Sequence, residues 1–582
     1  MTKSKDVQIT PIALNTRVFR SRTWDRLKFE VEYGLNRGTT ANSFVIEGEK
    51  IALFDPPGES FTDIFLDALE QRVDLKKIDY LILGHINPNR AVTINTLLQK
   101  APQITIIISN TGAKSLQTIF NNNYQETLQK NPLNIEAVKN DLQLDLGKGH
   151  LLEFITTPNP RYPDQLLTYD NQTKVFYTDK LFSAHVCGDQ ILDEGWIIYQ
   201  EDRRHYFDCV MAPYATQVSK AIEKVKEKES FIYATNHGPL VRYGLTELTG
   251  LYQQWLETQK NQTLNVALVY ASAYGNTATL AGAIARGITK AGVRVESINA
   301  EFAGSEEIKI AIQGCDGFIF GSPTLGGHAP TQIQSALGIA LANADKNKLV
   351  GAFGSFGWSG EAIDLLENKF KDGGYRFGFD TIRVKFKPTE AVLKTCEEAG
   401  TDFAQALKKR KKALKSKESA AANSLTARTE QALGRLVGSL CIATTQRDEI
   451  KGAMVASWVS QATFNPPGLT IAVAKERAIE SLLPIGSSFA LNILEEGRHI
   501  ELMKHFLKPF APGEDRFVNI DHDVADNGSP VLNNALAYVE CEVKNRLECG
   551  DHWVLYAIAK AGKLLKDDGI TAVHHRKSGT HY

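Results

Sequence analysis

No sign of charge predominates in this chain. Sixty-six Lys and Arg stand against 67 Asp and Glu, a net charge of −1, so no overall field draws it to nucleic acid or to an anionic membrane. The seven cysteines (187, 209, 315, 396, 441, 541 and 549) include no CxxC pair. That argues against a zinc ribbon, an iron–sulfur cluster and a disulfide framework, and fits a reducing compartment. MTKSKDVQIT at the start has no apolar h-region, and no stretch approaches the ~18 consecutive apolar residues of a membrane span. The expectation is a soluble cytoplasmic protein, with peripheral membrane association left open. What is present is ordinary globular sequence: 582 residues, 43% hydrophobic and 23% charged, enough for three or four domains.

The chain divides by pattern into three. Over 1–262 the apolar runs are short: SFVIEGEKIALFDPPG (43–58) reads as two strands and a turn beginning at Asp55, and IDYLILG (78–84) reads as a buried strand ending at His85. With QITIIIS, HLLEFIT and KVFYTDK as further strands and helices such as SFTDIFLDAL between them, this predicts an αβ sandwich. Over 263–410, NVALVYAS, VRVESINA, DGFIFGSP, KLVGAFGS and RFGFDTIRVKF alternate with four amphipathic stretches, the pattern of a doubly wound parallel sheet. KKRKKALKSK (408–417) reads as the solvated end of a helix, and 411–428 as a linker. Residues 429–582 return to β-type runs, GSLCIATTQ to HWVLYAIAK, which predicts a small barrel.

The loop after NVALVYA, Ser272-Ala273-Tyr274-Gly275-Asn276-Thr277, offers hydroxyls and backbone N–H groups at a helix start, where a phosphate is favoured. The chain has neither the GK[ST] of a triphosphate loop nor the GxGxxG of a dinucleotide loop there, so a flavin mononucleotide suits it better. Pro323-Thr324-Leu325-Gly326-Gly327 and Ser355-Phe356-Gly357-Trp358-Ser359-Gly360 follow the third and fourth strands, at the edge where open α/β sheets bind ligands. Their glycines admit a flavin ring and Trp358 can stack on it. Together the three loops resemble the flavodoxin family, which binds FMN there. In the last segment Ala456-Ser457-Trp458, Asn465-Pro466, Lys475 and His552 resemble flavin-reductase-like split barrels, which bind FMN and take hydride from NAD(P)H. Without the resemblance, the residues read as a barrel with an aromatic core.

Gly84-His85-Ile86-Asn87-Pro88-Asn89-Arg90 stands where metallo-β-lactamase-like folds carry a metal-ligand loop. With the other two segments, the whole chain resembles the flavodiiron proteins (A-type or diflavin flavoproteins) in the three-domain form of oxygenic phototrophs such as cyanobacteria. The resemblance implies a metallo-β-lactamase-like αβ/βα sandwich, then a flavodoxin-like doubly wound parallel sheet, then a flavin-reductase-like split β-barrel. It also implies electron flow from NAD(P)H through FMN and a second flavin to a diiron centre that reduces oxygen to water. Matched to the family, only His85, Asp179 and His237 remain as ligands; Asn87, Asn89, Arg90 and Arg161 replace Glu, Asp, His and His.

Arginine has no lone pair for a metal and stays protonated. At about 5 Å and an effective dielectric of about 20, one guanidinium repels Fe²⁺ by roughly 6 to 7 kcal/mol. The expectation is therefore a pocket without an iron pair, holding an Asp179–arginine salt bridge or a small anion; His185, Cys187 and His205 are read as packing residues. Head-to-tail dimers in the family place one subunit's FMN beside its partner's metal site. The resemblance thus implies a homo- or hetro-oligomer in which this chain feeds a paralogous subunit, in the cytoplasm or peripheral to thylakoid membranes. A non-catalytic or regulatory subunit and nitric oxide reduction are the alternatives. A hydrolase lacks the metal that would generate hydroxide.

Overall fold

The computed structural model describes residues 5–25, 37–139, 142–415 and 424–576. The first part of the chain forms two face-to-face sheets. One holds seven strands in chain order, Asp6–Ala13, Thr16–Thr23, Thr39–Glu47, Ile51–Phe54, Ile78–Ile82, Thr105–Ser109 and Asn134–Val138. The other holds five, with Ile232–Thr235 and Val175–Asp179 parallel at one edge. Each strand's inward face meets the opposite sheet: Phe54 stacks on Tyr177 at 4.2 Å between ring centroids, within a core that also includes Phe44, Ile82 and Leu166. Helices cover both outer faces, among them α1 (Pro88–Lys100) and α2 (Gln200–Tyr206). Parallel strands buried on both faces explain apolar runs such as TIIIS.

The second part is a parallel sheet in the order Arg294–Asn299, Asn265–Tyr270, Gly317–Pro323, Leu349–Phe356, Arg376–Phe377, the doubly wound flavodoxin-like order. The stretch RFGFDTIRVKF is two short strands, Arg376–Phe377 and Ile382–Lys385, both paired with Leu349–Phe356. Gly378 between them packs on Phe403 so closely that a Cβ would come within 2.4 Å of the ring. Helix α3 (Asn276–Lys290) and helix α4 (Glu390–Lys415) cross in intimate contact. They do so because Gly287 and Gly400 lack side chains: a Cβ there would lie 1.9 Å from Glu397 O and 2.1 Å from Ile284 O.

Residues 408–415 of the basic run belong to the end of α4, and a further helix, Ser424–Leu433, begins inside the stretch read as a linker. Its Ala-rich composition favours helix as readily as linker. Residues 416–423 lie outside the described residues.

The last part is a seven-stranded antiparallel sheet in the order Ile450–Ala456, Cys441–Arg447, Ser488–Ile493, Ala537–Cys549, His552–Leu564, Pro467–Ala474, Val459–Phe464. It curls around a core that includes Ile471, Phe489, Val543 and Leu555. Among the described residues no helix is long and apolar enough to cross a membrane.

Candidate functional site

The degenerate pocket sits where the strand Val175–Asp179 meets the His85 loop. Asp179 ends its strand at a φ of 46°, in the left-handed region that ordinary residues avoid. It then presses against Gly84, where a Cβ would lie 2.8 Å from Asp179 Cβ. Its Oδ1 lies 3.3 Å from His85 Nδ1 and accepts from Asn236 Nδ2 at 3.2 Å. Its Oδ2 is buried 3.2 Å from the same His85 nitrogen.

Arg90 does not form the expected pair with Asp179. Arg90 Nη1 donates instead to Asp55 Oδ1 at 2.8 Å and to the His85 carbonyl at 2.7 Å. The reason is local: Asn87 caps α1 by accepting from Arg90 N at 2.9 Å, which sets Arg90 in the first turn beside the Asp55 turn. Asn87 Nδ2 also lies 3.3 Å from His85 Nε2. Asn89 is the second residue of α1. Arg161 lies on Tyr162, its Nε donating to the phenol oxygen at 2.9 Å, and the Tyr162 ring meets His85 edge-on.

The decisive residue is one the sequence did not flag. His237 Nδ1 lies 2.6 Å from the Thr40 carbonyl, so it carries the proton and leaves Nε2 bare. Lys180 Nζ sits 3.0 Å from that Nε2. A metal bond to imidazole is about 2.1 Å, so an ion on His237 would need the space of the ammonium. Two buried cations, Arg90 and Lys180, thus stand among the remaining donors. Among the described residues no three His, Cys, Asp or Glu are grouped to hold a metal ion. The donor set does not fit a diiron centre.

The protonation states agree with that filling. Burial pushes His85 and His185 down to about 3, with Lys180 adding to the effect on both, and drives His237 well below the ordinary imidazole range. All three are neutral near pH 7. Burial alone would raise Asp179, but His85, Lys180 and Arg90 hold it below the usual carboxylate range. Asp55 and Asp164 are pushed up to about 6, chiefly by burial. Asp164 accepts from Ile86 N at 2.8 Å and so fixes the His85 loop.

The three flavodoxin-like loops converge at the carboxyl edge of the parallel sheet. Two of them flank the switch point between Asn265–Tyr270 and Gly317–Pro323. Ser272 Oγ accepts from Ala278 N at 3.0 Å, closing the turn onto α3. Gly275 makes the turn at a φ of 80°. Thr277 Oγ1 lies 2.8 Å from Ser355 Oγ, tying the first loop to the third, and Thr324 N donates to the Ser355 carbonyl at 3.0 Å. Ala273 and Asn276 lie within the first loop, and Leu325 to Gly327 form a tight turn closed onto His328. A Cβ on Gly326 or Gly327 would meet open space.

Tyr274 is 80% and Trp358 91% exposed, so two aromatic faces stand clear beside the switch point, with Phe356, Gly357, Ser359 and Gly360 around the second. The first turn of α3 has no acidic residue, whereas the helices Ser305–Gly314 and Glu361–Asp372 each carry two. A phosphate at the α3 terminus meets donors and no carboxylate from that first turn, and it competes with Glu301, whose carboxylate accepts from Ser272 N at 3.4 Å. These residues fit FMN.

In the barrel, Trp458, Lys475 and His552 come together: the Trp458 and His552 rings are 5.1 Å apart and Lys475 Nζ pairs with Glu548 at 2.6 Å. They line a cavity of about 1200 Å³ that also touches α2, α3 and Trp255. Asn465 and Pro466 are placed apart, at the exposed tip of the hairpin between the last two strands of the sheet order. Ala456 and Ser457 are buried at the end of their strand. Asn492 is structural, holding Leu532 N at 2.8 Å.

The same cavity is crossed by ion pairs from all three parts of the chain. Arg546 bonds Glu480 at 2.6 Å and Glu201 at 3.2 Å, Lys290 reaches Glu480 at 3.7 Å, Arg286 bonds Glu397 at 3.0 Å, and Arg204 reaches Glu548 at 3.3 Å. Their sequence separations leave no local pattern by which this network is read from the chain.

Three family models match successive stretches: the ODP family beta lactamase over 39–238, flavodoxin over 268–400 and the flavin reductase like domain over 433–580. The chain is 67% identical over 579 residues to a diflavin flavoprotein A 3 of Synechocystis sp., covering 100% of this chain and 96% of that one. It is 41% identical over 581 residues to diflavin flavoprotein A 1 of Synechocystis sp., covering 100% and 98%. Among solved structures it is similar to a metal-soaked Flv1 flavodiiron core from Synechocystis sp., with 67% identity and a TM-score of 0.68 over 70% of this chain and 100% of that one. With the three parts in this order and relatives matched end to end, the chain belongs to the flavodiiron, diflavin flavoprotein A family of the cyanobacterial three-domain form.

Proposed function

We propose that this chain is an electron-carrying oxidoreductase that passes electrons from NAD(P)H through two flavins towards the reduction of oxygen to water at the intact diiron site of a paralogous subunit. The observation that carries this reading is a contrast within one chain. The FMN loops keep their hydroxyls, glycines and exposed aromatics, while the pocket that would receive the electrons is filled by Lys180 and Arg90. Bound flavin supplies the chemistry that accepts hydride and hands on electrons.

The chain's own residues hold and orient it. Ser272, Thr277 and the α3 terminus take the phosphate, Gly326 and Gly327 let the backbone approach the ring, and Tyr274 and Trp358 flank it. In the barrel Trp458 and His552 face the cavity where a second flavin and the nicotinamide meet, and Lys475 supplies positive charge there. The test is anaerobic stopped-flow mixing of NAD(P)H with the flavin-loaded chain, then oxygen, with and without a paralogue that keeps all seven ligands. Flavin bleaching followed by reoxidation that the paralogue accelerates is expected. No bleaching would leave a non-catalytic or regulatory subunit, and acceleration by nitric oxide instead of oxygen would change the acceptor.

A further inference from the structure

We propose that the C-terminal segment of the barrel is a strap over Trp458: Arg576 rests on the indole, and the strap lifts before the ring of a reduced nicotinamide can stack there. The identity of the incoming ring rests on the function proposed above; the strap adds a control on its entry.

The segment is pinned on one side and loosely held on the other. Ala572 is fully buried. Its N–H donates to the Leu494 carbonyl at 2.8 Å, and its own carbonyl accepts from Leu440 N at 2.8 Å. Glu496 N donates to the Ile570 carbonyl at 2.8 Å, and bridges join Thr571 to Glu495 and Val573 to Ser439. Residues 570–573 therefore run as a further extended stretch between the chain entering Cys441–Arg447 and the chain leaving Ser488–Ile493. His574, His575 and Arg576 follow with no regular structure and no apolar side chain to bury.

Arg576 is seated on two neighbouring stretches. Its Cζ lies 4.8 Å from the centre of the Trp458 ring, and its Nη2 reaches the Leu436 carbonyl at 3.4 Å. The two stretches meet because Gly438 has no side chain: a Cβ there would lie 2.2 Å from the Ser457 carbonyl. Trp458 in turn lines the junction cavity with Lys475 and His552, and its ring is 5.1 Å from that of His552. A guanidinium at this distance fills the layer in which a flat ring would stack, so that face of Trp458 is closed while the contact stands.

The strength of the seat suits a strap that opens. A cation over an aromatic ring at a site this exposed, with Trp458 40% exposed, favours the closed form by about two- to fivefold. The hydrogen bond to Leu436 is long and adds little. Lifting Arg576 leaves the backbone bonds of 570–573 in place. A ligand that needs the open form then binds more weakly by the fraction of open molecules.

The test compares wild type with Arg576→Ala as full-length, flavin-loaded chains. In anaerobic flavin bleaching with NADH and NADPH titrated separately, Arg576→Ala is expected to lower the half-saturating concentration by about three- to sixfold at an unchanged limiting rate. Acrylamide quenching of tryptophan fluorescence, each chain read against its Trp458→Phe counterpart, is expected to show Trp458 more accessible in Arg576→Ala. An unchanged half-saturating concentration overturns the proposal. So does a higher one, which would make Arg576 a holder of the dinucleotide's phosphates. If neither nicotinamide bleaches the wild-type flavin, the function proposed above fails and quenching alone decides: equal accessibility of Trp458 in the two chains overturns the strap.

Discussion

Replacing Glu201 by Gln is predicted to strengthen the three-domain junction at alkaline pH, although it removes one carboxylate from an ion pair. Glu201 Oε1 lies 3.2 Å from Arg546 Nε, but its Oε2 is buried without a hydrogen-bond partner, and the same guanidinium is already held by Glu480 at 2.6 Å. Burial outweighs Arg546, Asp202 and Glu480 add repulsion, and Arg37 offsets part of it, so the Glu201 carboxyl is pushed up from 4.5 to about 7.

A carboxyl raised in the folded state favours its protonated form there. Its contribution is fully present below 4.5 and is lost as pH rises through 7. Between pH 5.5 and pH 8 that loss amounts to about 2 kcal/mol, which a glutamine does not suffer. Hydrogen exchange of 200–206 and 537–549, corrected for intrinsic rates, should therefore show Glu201→Gln gaining about 2 kcal/mol of protection on wild type over that interval. A control, Arg546→Met, removes the cation shared by Glu201 and Glu480, leaving Glu480 only Lys290 at 3.7 Å, and should cost about 3 to 5 kcal/mol. If Glu201→Gln is the less protected chain at pH 8, the pair with Arg546 outweighs desolvation and the reasoning is wrong.

Three further outcomes follow from the geometry. Gly84→Ala sets a methyl 2.8 Å from Asp179 Cβ and should destabilise the first domain by about 1 to 3 kcal/mol, read as a lower urea midpoint. Trp358→Ala, at a residue 91% exposed, should leave that midpoint unchanged while weakening FMN binding, read by flavin fluorescence; equal affinity would remove Trp358 from the site. Acidification from pH 6 to 4.5 should change the first domain little. His85, His185 and His205 at about 3 and His237 well below the ordinary imidazole range stay neutral while their unfolded counterparts take up four protons below 6.5. Asp55, Asp164 and Asp202 at about 6 and Glu201 at about 7 return four to the folded state. The two uptakes nearly cancel, and a slope steeper than one proton's worth, about 1.4 kcal/mol per pH unit, in urea titrations over that window would contradict this count.

Much of this was legible in the sequence because the informative signals are local. Alternating strands and helices gave the parallel sheet, and loops at successive strand ends marked the edge where Thr277, Ser355 and Trp358 meet. The replaced ligands were visible one by one. Lys180 was not, because neighbouring residues on a strand point to opposite faces, which should have turned it away from Asp179. The positive φ of Asp179 and the register shift before it break that alternation and bring both into the pocket. Asp55 looked like a turn residue and became the partner of Arg90, which is why Arg90 does not pair with Asp179. The junction network joins residues as distant as Glu201 and Arg546, and no periodicity records such a pairing.

Metal and flavin analysis of the full-length chain, after anaerobic reconstitution with excess ferrous iron and FMN and then desalting, decides whether the chain loads flavin but lacks an iron centre of its own. Bound flavin with iron far below one ion per chain is expected, because Lys180 and Arg90 occupy the donors' side of the pocket. Retention of about two irons per chain, at the coordination expected of His85, Asp179 and His237, would contradict it.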